Sequence, residues 1–537
     1  MVDAVVWQDS EGVWRAALDT SAIEGGSKLA DSPALASFRR ERKWGTFSTL
    51  DACNYALNVY EDGDVLSVVT DCSPHGTHVA GIVAAHHPGG DGALDGVAPG
   101  AQIVSLKIGD QRMGSMETGC GLYRALKAAV DNKCDLVNMS YGEPTSESNH
   151  GRFVQLAGEL VNKHGIIFVS SAGNNGPGLS TVGAPGGSSS PILGIGAWVN
   201  PDMAAESHSV IEAETCGGRQ YTWSSRGPTF DGDVGVDISA PGGAIAPVPE
   251  WTLNAKQLMN GTSMSSPNAC GGMALLVGAL KASGMPVTPA RVRRAVLNTA
   301  TQLSDLPHAD QRLTAGRGLV DVSGAWDYLV SNEAADVPDV RYEVSVSYSN
   351  SLSRKMRGVY LRRVRGDPAY ARVAAVVGVR PTFLEDARNK EDKAAFEQRI
   401  ELTVEGRGGA SVGWVQAPKG VMLMQGGRDF KIEVDTTQLP EDADLHFAEV
   451  VGRDSAAPER GPLFRVPVTV VEAAAVGVTA TPAPYLARFE GVQLASGAVE
   501  RRFVMPPAGS NFVEVTVAAG ELPASPRSIW LHLVQVQ

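Results

Sequence analysis

Apolar and polar positions alternate along the first twenty residues. Val5-Val6-Trp7-Gln8 and Val13-Trp14-Arg15-Ala16-Ala17-Leu18 flank Asp9-Ser10-Glu11-Gly12. Two period-two runs around four turn formers predict a β-hairpin. Residues 21–50 are polar and irregular, and residues 55–60 and 65–70 predict two further strands around Glu61-Asp62-Gly63-Asp64. The small and apolar residues from Val79 onward predict a buried helix, with His75 just before it or in its first turn. Between residues 96 and 175, strands at 103–108, 134–140 and 166–171 alternate with helical spacing at 119–130 and 153–163. That alternation predicts a parallel sheet covered on both faces. Ligands of such sheets bind at the carboxyl ends of the strands. Two strands run there into polar, glycine-rich ends, Asn138-Met139-Ser140-Tyr141-Gly142-Glu143-Pro144 and Ala172-Gly173-Asn174-Asn175-Gly176-Pro177-Gly178. The apolar run Met273-Ala274-Leu275-Leu276-Val277 predicts another helix, and 292–300 one more.

Past the polar stretch 332–339, read as a linker, the period becomes two. Residues 340–347, 399–404, 430–434 and 463–471 alternate as strands, which suggests a β-sandwich. Residues 386–398 are charged and fit either a short helix or a loop, and the tail 473–537 reads as further strands.

Composition narrows the partners. The 537 residues are 43% hydrophobic and 20% charged, an ordinary globular balance long enough for two to four domains. A net charge of −13 argues against nucleic acid, whose phosphates need a basic face. The basic runs Arg39-Arg40-Glu41-Arg42-Lys43 and Arg362-Arg363-Val364-Arg365 read as solvated loops or strand edges. No apolar run reaches membrane-spanning length, and residues 1–7 lack the pattern of a signal peptide. Six scattered cysteines without a CxxC pair point to reduced thiols and a cytoplasmic location. The pair His86-His87 lacks partners at ligand spacing, so neither metal nor cofactor is expected.

Two stretches can carry chemistry. In Asn260-Gly261-Thr262-Ser263-Met264-Ser265-Ser266-Pro267 a serine stands between small residues ahead of a helix. It reads as an N-cap or as a nucleophile near the positive helix end and unpaired N–H groups. His75 reads as a capping or packing residue, or as a base kept neutral by the helix dipole.

His75-Gly76-Thr77-His78-Val79-Ala80-Gly81, Ala172-Gly173-Asn174 and Gly261-Thr262-Ser263-Met264 together resemble the motifs of subtilisin-like serine peptidases, as does the stretch 237–242. The resemblance implies a subtilisin-like α/β fold, a doubly wound parallel sheet lacking its first strand, followed by β-sandwich-type domains. It makes His75 the general base, Ser263 the nucleophile and Asn174 a donor to the oxyanion. Acyl transfer needs those three roles. Within that group the chain is similar to the tripeptidyl-peptidase II family through 171–178, 221–228 and 257–268. Glu117 and Glu143 match that family's two glutamates for the substrate N-terminus. The implied activity is release of tripeptides from oligopeptides with free N-termini, the alternatives being a broad endopeptidase or a non-catalytic chain. Assembly of the full-length protein into homo-oligomers is implied too.

One departure stands out. The family's aspartate, in a D-T/S-G setting, has no counterpart before His75, and Asp9-Ser10-Glu11 fits a turn better. Residues 1–70 are therefore expected to be the remnant of an insertion between aspartate and histidine. Residues 71–331 are expected to be the peptidase domain, 340–472 a sandwich, and 473–537 the truncated start of a further β domain. Without the aspartate the chain alone is expected to be nearly inactive.

Overall fold

The computed structural model describes residues 2–23, 28–71, 73–110, 114–208, 217–303, 308–332, 340–348, 356–384, 390–474, 476–478, 485–494, 498–518 and 529–534. Cys72, Cys216 and residues 333–339 of the linker read at 332–339 lie outside them. The chain forms two units. The first comprises residues 1–99, 107–118 and 245–259, and the second the remainder.

The first unit opens with the expected hairpin. Strands β1 (Asp3–Gln8) and β2 (Trp14–Asp19) pair antiparallel, and β3 (Leu35–Ala36) adds to β2. A short helix α1 (Phe38–Glu41) leads to β4 (Gly45–Thr46), β5 (Asn54–Tyr60) and β6 (Val65–Thr70), a second antiparallel sheet. Alternation places Ala16 and Leu18 of β2 and Tyr55 and Leu57 of β5 in one shared core with Leu35. Helix α2 (His75–Ala84) follows, then the short pair β7 (Gly109–Asp110) and β8 (Met116–Glu117). Later in the chain β16 (Gly243–Pro247) pairs with β17 (Lys256–Asn260).

The second unit contains the parallel sheet. It starts with α3 (Gly119–Asp131), β9 (Leu136–Met139), the short β10 (Glu143–Pro144), α4 (Arg152–Asn162) and β11 (Ile167–Ser171). Then come β12 (Gly183–Ala184), β13 (Leu193–Val199), α5 (Pro201–His208), β14 (Arg219–Gln220) and β15 (Ile238–Pro241). Strands β9, β11, β13 and β15 lie side by side, all parallel. Strand alternation sorts the two faces. Ile167 and Val169 face a core shared with α6 (Thr262–Ala282), α7 (Pro289–Thr299) and α9 (Val322–Ser331), while Phe168 meets Phe153 of α4 edge to face. Between α7 and α9 runs α8 (His308–Ala315).

Packing, more than propensity, holds α6 together. It contains Gly271, Gly272 and Gly278, each costing about 1 kcal/mol against alanine in a helix interior. Gly272 is needed because a Cβ there would stand 2.7 Å from Val322 Cγ2. Fully buried Met273 and Leu280 offset that cost, at roughly 1.5–3 kcal/mol for each large apolar side chain.

Residues 103–108 correct an expectation. They form no strand, and Ile103 and Val104 are exposed. Their apolar alternation is that of a strand, but the sheet order ends at β9 and offers this run no ladder.

The rest of the second unit is the expected sandwich. One sheet holds β18 (Val340–Tyr348), β20 (Arg372–Phe383), β22 (Val415–Gln416) and β24 (Arg428–Asp435). The other holds β19 (Val359–Val364), β21 (Glu397–Glu405), β23 (Gly420–Met424), β25 (Leu445–Asp454) and β26 (Pro462–Ala473). Val377, Phe430 and Ile432 of the first and Ile400, Val450 and Val468 of the second pack into one core. Within the charged stretch 386–398, α10 (Lys390–Ala394) is a short helix. Beyond the sandwich the pair β27 (Gly477–Val478) and β28 (Tyr485–Leu486) is small. Residues 511–518 and 529–534 carry no strand, contrary to the alternation of their sequence, and Phe512 and Trp530 are exposed. Among the described residues no helix is long and apolar enough to cross a membrane.

Candidate active site

Strands β9 and β11 end next to one another, and α6 begins at those ends. Past β11 the chain turns at Gly173, whose φ of +112° suits glycine. A Cβ there would also sit 2.7 Å from Ser225 Oγ, which accepts from the Asn175 N–H at 3.0 Å. The turn sends the Asn174 side chain toward α6. Its Oδ1 accepts from the Thr262 N–H at 2.9 Å and from Thr262 Oγ1 at 2.8 Å. Thr262 Oγ1 in turn accepts from the Gly173 N–H at 3.3 Å. With Oδ1 doubly engaged, the planar amide is oriented and Nδ2 is the end left to donate elsewhere. A Cβ on Gly261 would stand 3.5 Å from Nδ2, so glycine keeps the space beside that donor open.

Ser263 follows, half-buried in the first turn of α6. Its Oγ donates to the Ser140 carbonyl at 3.4 Å, a long contact that a base can take over. The dipole at this helix end favours negative charge nearby. The Asn174 side chain thus reaches the first turn of α6, which also holds Ser263. Glu143, in β10, is exposed and pairs across to Ala184 of β12.

In the first unit His75 opens α2, and its backbone N–H donates to Ser73 Oγ at 3.3 Å. Burial, and next the neighbouring His78, lower its pKa below the ordinary histidine value. The neutral form was expected; the cause assigned to it, the helix dipole, gives way to desolvation as the larger effect. His78 is buried, with Nε2 2.8 Å from the Gln257 carbonyl. Gly81 lets the 245–259 segment approach, since a Cβ there would lie 2.8 Å from Pro247 Cδ. Glu117, in β8, has a buried Oε2 with no hydrogen-bond donor among the described residues. His86 and His87 both turn to Asp95, at 3.5 and 3.2 Å. Among the described residues no group of three His, Cys, Asp or Glu is arranged to hold a metal.

Sequence reasoning named Ser263, Asn174 and His75 as candidates but passed over Thr262, whose two donors set the asparagine. The available signal was the hydroxyl beside Ser263 in Gly-Thr-Ser.

The subtilase family model matches residues 33–317, more than half of the chain. The chain belongs to the subtilase family. A second match, to the first Ig-like domain of tripeptidyl-peptidase II, covers residues 340–471 of this subtilase, where β18 to β26 form the sandwich. Tripeptidyl-peptidase 2 of Oryza sativa subsp. japonica is 50% identical over 540 residues, spanning 100% of this chain and 38% of that protein. Its counterpart in Arabidopsis thaliana is 50% identical over 539 residues with the same shares. The subtilase chain thus spans 38% of the length of these relatives. A crystal structure of tripeptidyl peptidase 2 superposes with a TM-score of 0.71 at 32% identity, covering 89% of this chain and 35% of that one.

Proposed function

We propose that this chain carries the hydrolytic centre of a serine peptidase of the tripeptidyl-peptidase II type. The activity of that type is release of tripeptides from oligopeptides with free N-termini, and with no aspartate of the D-T/S-G kind ahead of His75 in this sequence the turnover of this chain alone is expected to be slow. Ser263 attacks the scissile carbonyl and His75, neutral through burial, takes its proton. The Asn174 Nδ2 donates to the oxyanion that develops. Glu117 and Glu143 receive the substrate ammonium, which limits cleavage to a fixed count of residues, since three extended residues span about 10 Å. The observation that carries this reading is the double anchoring of Asn174 Oδ1 by Thr262, which leaves the amide donor beside Ser263. The buried, unmatched Oε2 of Glu117 supports an ammonium partner. The names of the relatives agree.

The reading includes a cytoplasmic location, no nucleic acid or membrane partner, and homo-oligomers of the whole protein. It divides the chain into 1–70, 71–331, 340–472 and 473–537. The test uses one peptide with a free and an acetylated N-terminus. The expected products are tripeptides from the free form alone, with KM raised by Glu143→Gln. Equal cleavage of both forms would make the chain an endopeptidase. A fluorophosphonate probe should label Ser263, and labelling should vanish in His75→Ala.

A further inference from the structure

Helix α6 carries Pro267 in its second turn. A residue at that place ordinarily donates its N–H to the carbonyl four residues earlier, here that of Ser263. Proline has no N–H, so the backbone carbonyl of Ser263 loses its helical donor. The Ser140 hydroxyl supplies one, with Oγ donating to Ser263 O at 2.8 Å. Behind it, Asn138 Nδ2 donates to Ser140 Oγ at 3.1 Å, and Ser266 Oγ donates to Asn138 Oδ1 at 2.5 Å. The path leaves α6 at Ser266, crosses the end of β9 and returns to α6 at Ser263.

Each link directs the next. Ser266 engages the amide oxygen of Asn138, so the amide nitrogen faces Ser140. A hydroxyl has one hydrogen, and with its lone pair receiving Asn138, that of Ser140 is committed to Ser263. Ser266 is fully buried, so water does not compete for it.

We propose that Ser140 and Asn138 are positioning residues for Ser263, replacing from a strand end the hydrogen bond that Pro267 removes from the helix. An ordinary residue at 267 would satisfy the carbonyl within α6 and leave the helix free to slide along the sheet. Here the same carbonyl is satisfied only while α6 and β9 keep one register. The serine's Cα–Cβ bond is thereby held at one angle to the strand end. The inference rests on Ser263 being the nucleophile, but the hydrogen bond can be tested without turnover.

The dipeptide Ser-Met occurs twice in the sequence, at 115–116 and 263–264. Labelling the chain with carbonyl-13C serine and 15N methionine gives two carbonyl–amide correlations, and Ser263→Ala identifies the one from 263. Ser140→Ala should move the Ser263 carbonyl signal upfield and leave that of Ser115 in place. Ser140→Thr, which keeps a hydroxyl, should return it. Fluorophosphonate labelling of Ser263 should fall about tenfold in Ser140→Ala and recover in Ser140→Thr. A merely structural serine would lower the melting temperature without moving the carbonyl signal. An unmoved signal, or no recovery with threonine, overturns the proposal. Should Ser140→Ala not fold, Ser266→Ala probes the far end, with a smaller upfield shift expected and none overturning the idea. Absence of labelling in the parent chain counts against the nucleophile and leaves the carbonyl result to decide the clamp.

Discussion

Replacing Arg357 by methionine keeps most of the side chain's length and removes its charge. In the native chain its Nε and Nη2 grip Asp231 at 2.6 and 3.1 Å, Nη1 reaches Asp233 at 2.6 Å, and Nη2 also donates to the Ser188 carbonyl at 2.9 Å. The backbone N–H groups of Arg357 and Gly358 donate to Asp231 O, so this strap lies directly on the 229–235 loop. A Cβ on Gly358 would stand 2.0 Å from Gly232 O. Burial alone would lower the arginine's pKa, but Asp233 and Asp231 outweigh it and the net shift is upward. Removing one partner of such a buried pair costs about 3–5 kcal/mol, because the remaining charge is left uncompensated. The Asp231 side chain is 10% exposed and cannot rehydrate in place, whereas Asp233, at 36%, partly can. The lower half of that range is therefore expected. At about 1 °C per kcal/mol for a unit of this size, from roughly 2.1 cal/mol/K of unfolding entropy per residue, the melting temperature should drop by about 3–5 °C. Differential scanning calorimetry of the parent, Arg357→Met and Asp231→Asn measures it. Because both changes break one pair, the double variant should lose less than the sum of the singles. A fall below about 2 °C, or simple additivity, would show that the clamp does not hold the sandwich to the subtilase sheet.

Asn174→Asp keeps an acceptor for Thr262 and deletes Nδ2. Labelling of Ser263 should slow by about 10²–10³, the loss known from a subtilisin oxyanion donor, and a change under about threefold would refute the role. Burial holds the His75 pKa down, so the acid limb of labelling should lie below the ordinary histidine value near 6.5. The unfolded chain binds that proton first, so stability from this group is present above that value and declines as pH falls through it. An acid limb above pH 6.5 would refute the assignment. Burial raises the Glu449 pKa, but Arg317 outweighs it and brings the carboxyl down to about 2. Its contribution, roughly 3 kcal/mol, is therefore present above the ordinary glutamate value and lost as pH falls from about 4.5 toward 2. Glu449→Gln should flatten melting temperature against pH in that window, and an unchanged slope would rule the pair out.

Much of the fold was legible because burial leaves a period. Val5 to Leu18 alternate around a four-residue turn and pair as β1 and β2. The strands at 134–140 and 166–171 are the adjacent parallel β9 and β11. Residues 103–108 show where periodicity stops being sufficient: the run has the pattern of a strand, but pairing depends on a neighbour that local sequence does not specify. The tail around Phe512 and Trp530 fails for the same reason. Of the candidate site, Ser263, His75 and Asn174 could be nominated from motifs whose residue types the proposed chemistry requires. The supporting hydroxyls were not. Thr262, Ser140 and Ser266 are common residues whose value lies in partners 88, 123 and 128 positions away. The Arg357 clamp was equally hidden, since Arg357 and Asp231 are separated by 126 positions.

Two brackets hold the first turn of α6, and they act at different atoms. Asn174 takes the N–H and hydroxyl of Thr262 from the end of β11. Ser140 feeds the carbonyl of Ser263 from the end of β9. The helix start is therefore pinned through one residue's donors and the next residue's acceptor, by two adjacent parallel strands. Such a start cannot rotate about the α6 axis without breaking at least one bracket, which suits a nucleophile that must meet a carbonyl at a fixed angle. Under the proposed function Asn174 does two jobs, so the loss in Asn174→Ala mixes a vanished oxyanion donor with a loosened turn. Thr262→Val separates them. It removes one of the two bonds to Oδ1 and leaves Nδ2 in place, so its cost should be about 1 kcal/mol, a few-fold in rate. If Thr262→Val were as damaging as Asn174→Asp, orientation of the turn would outweigh the electrostatic donor, and the oxyanion role given to Asn174 would have to pass to the Ser263 backbone N–H, since those of Thr262, Met264 and Ser265 are already engaged.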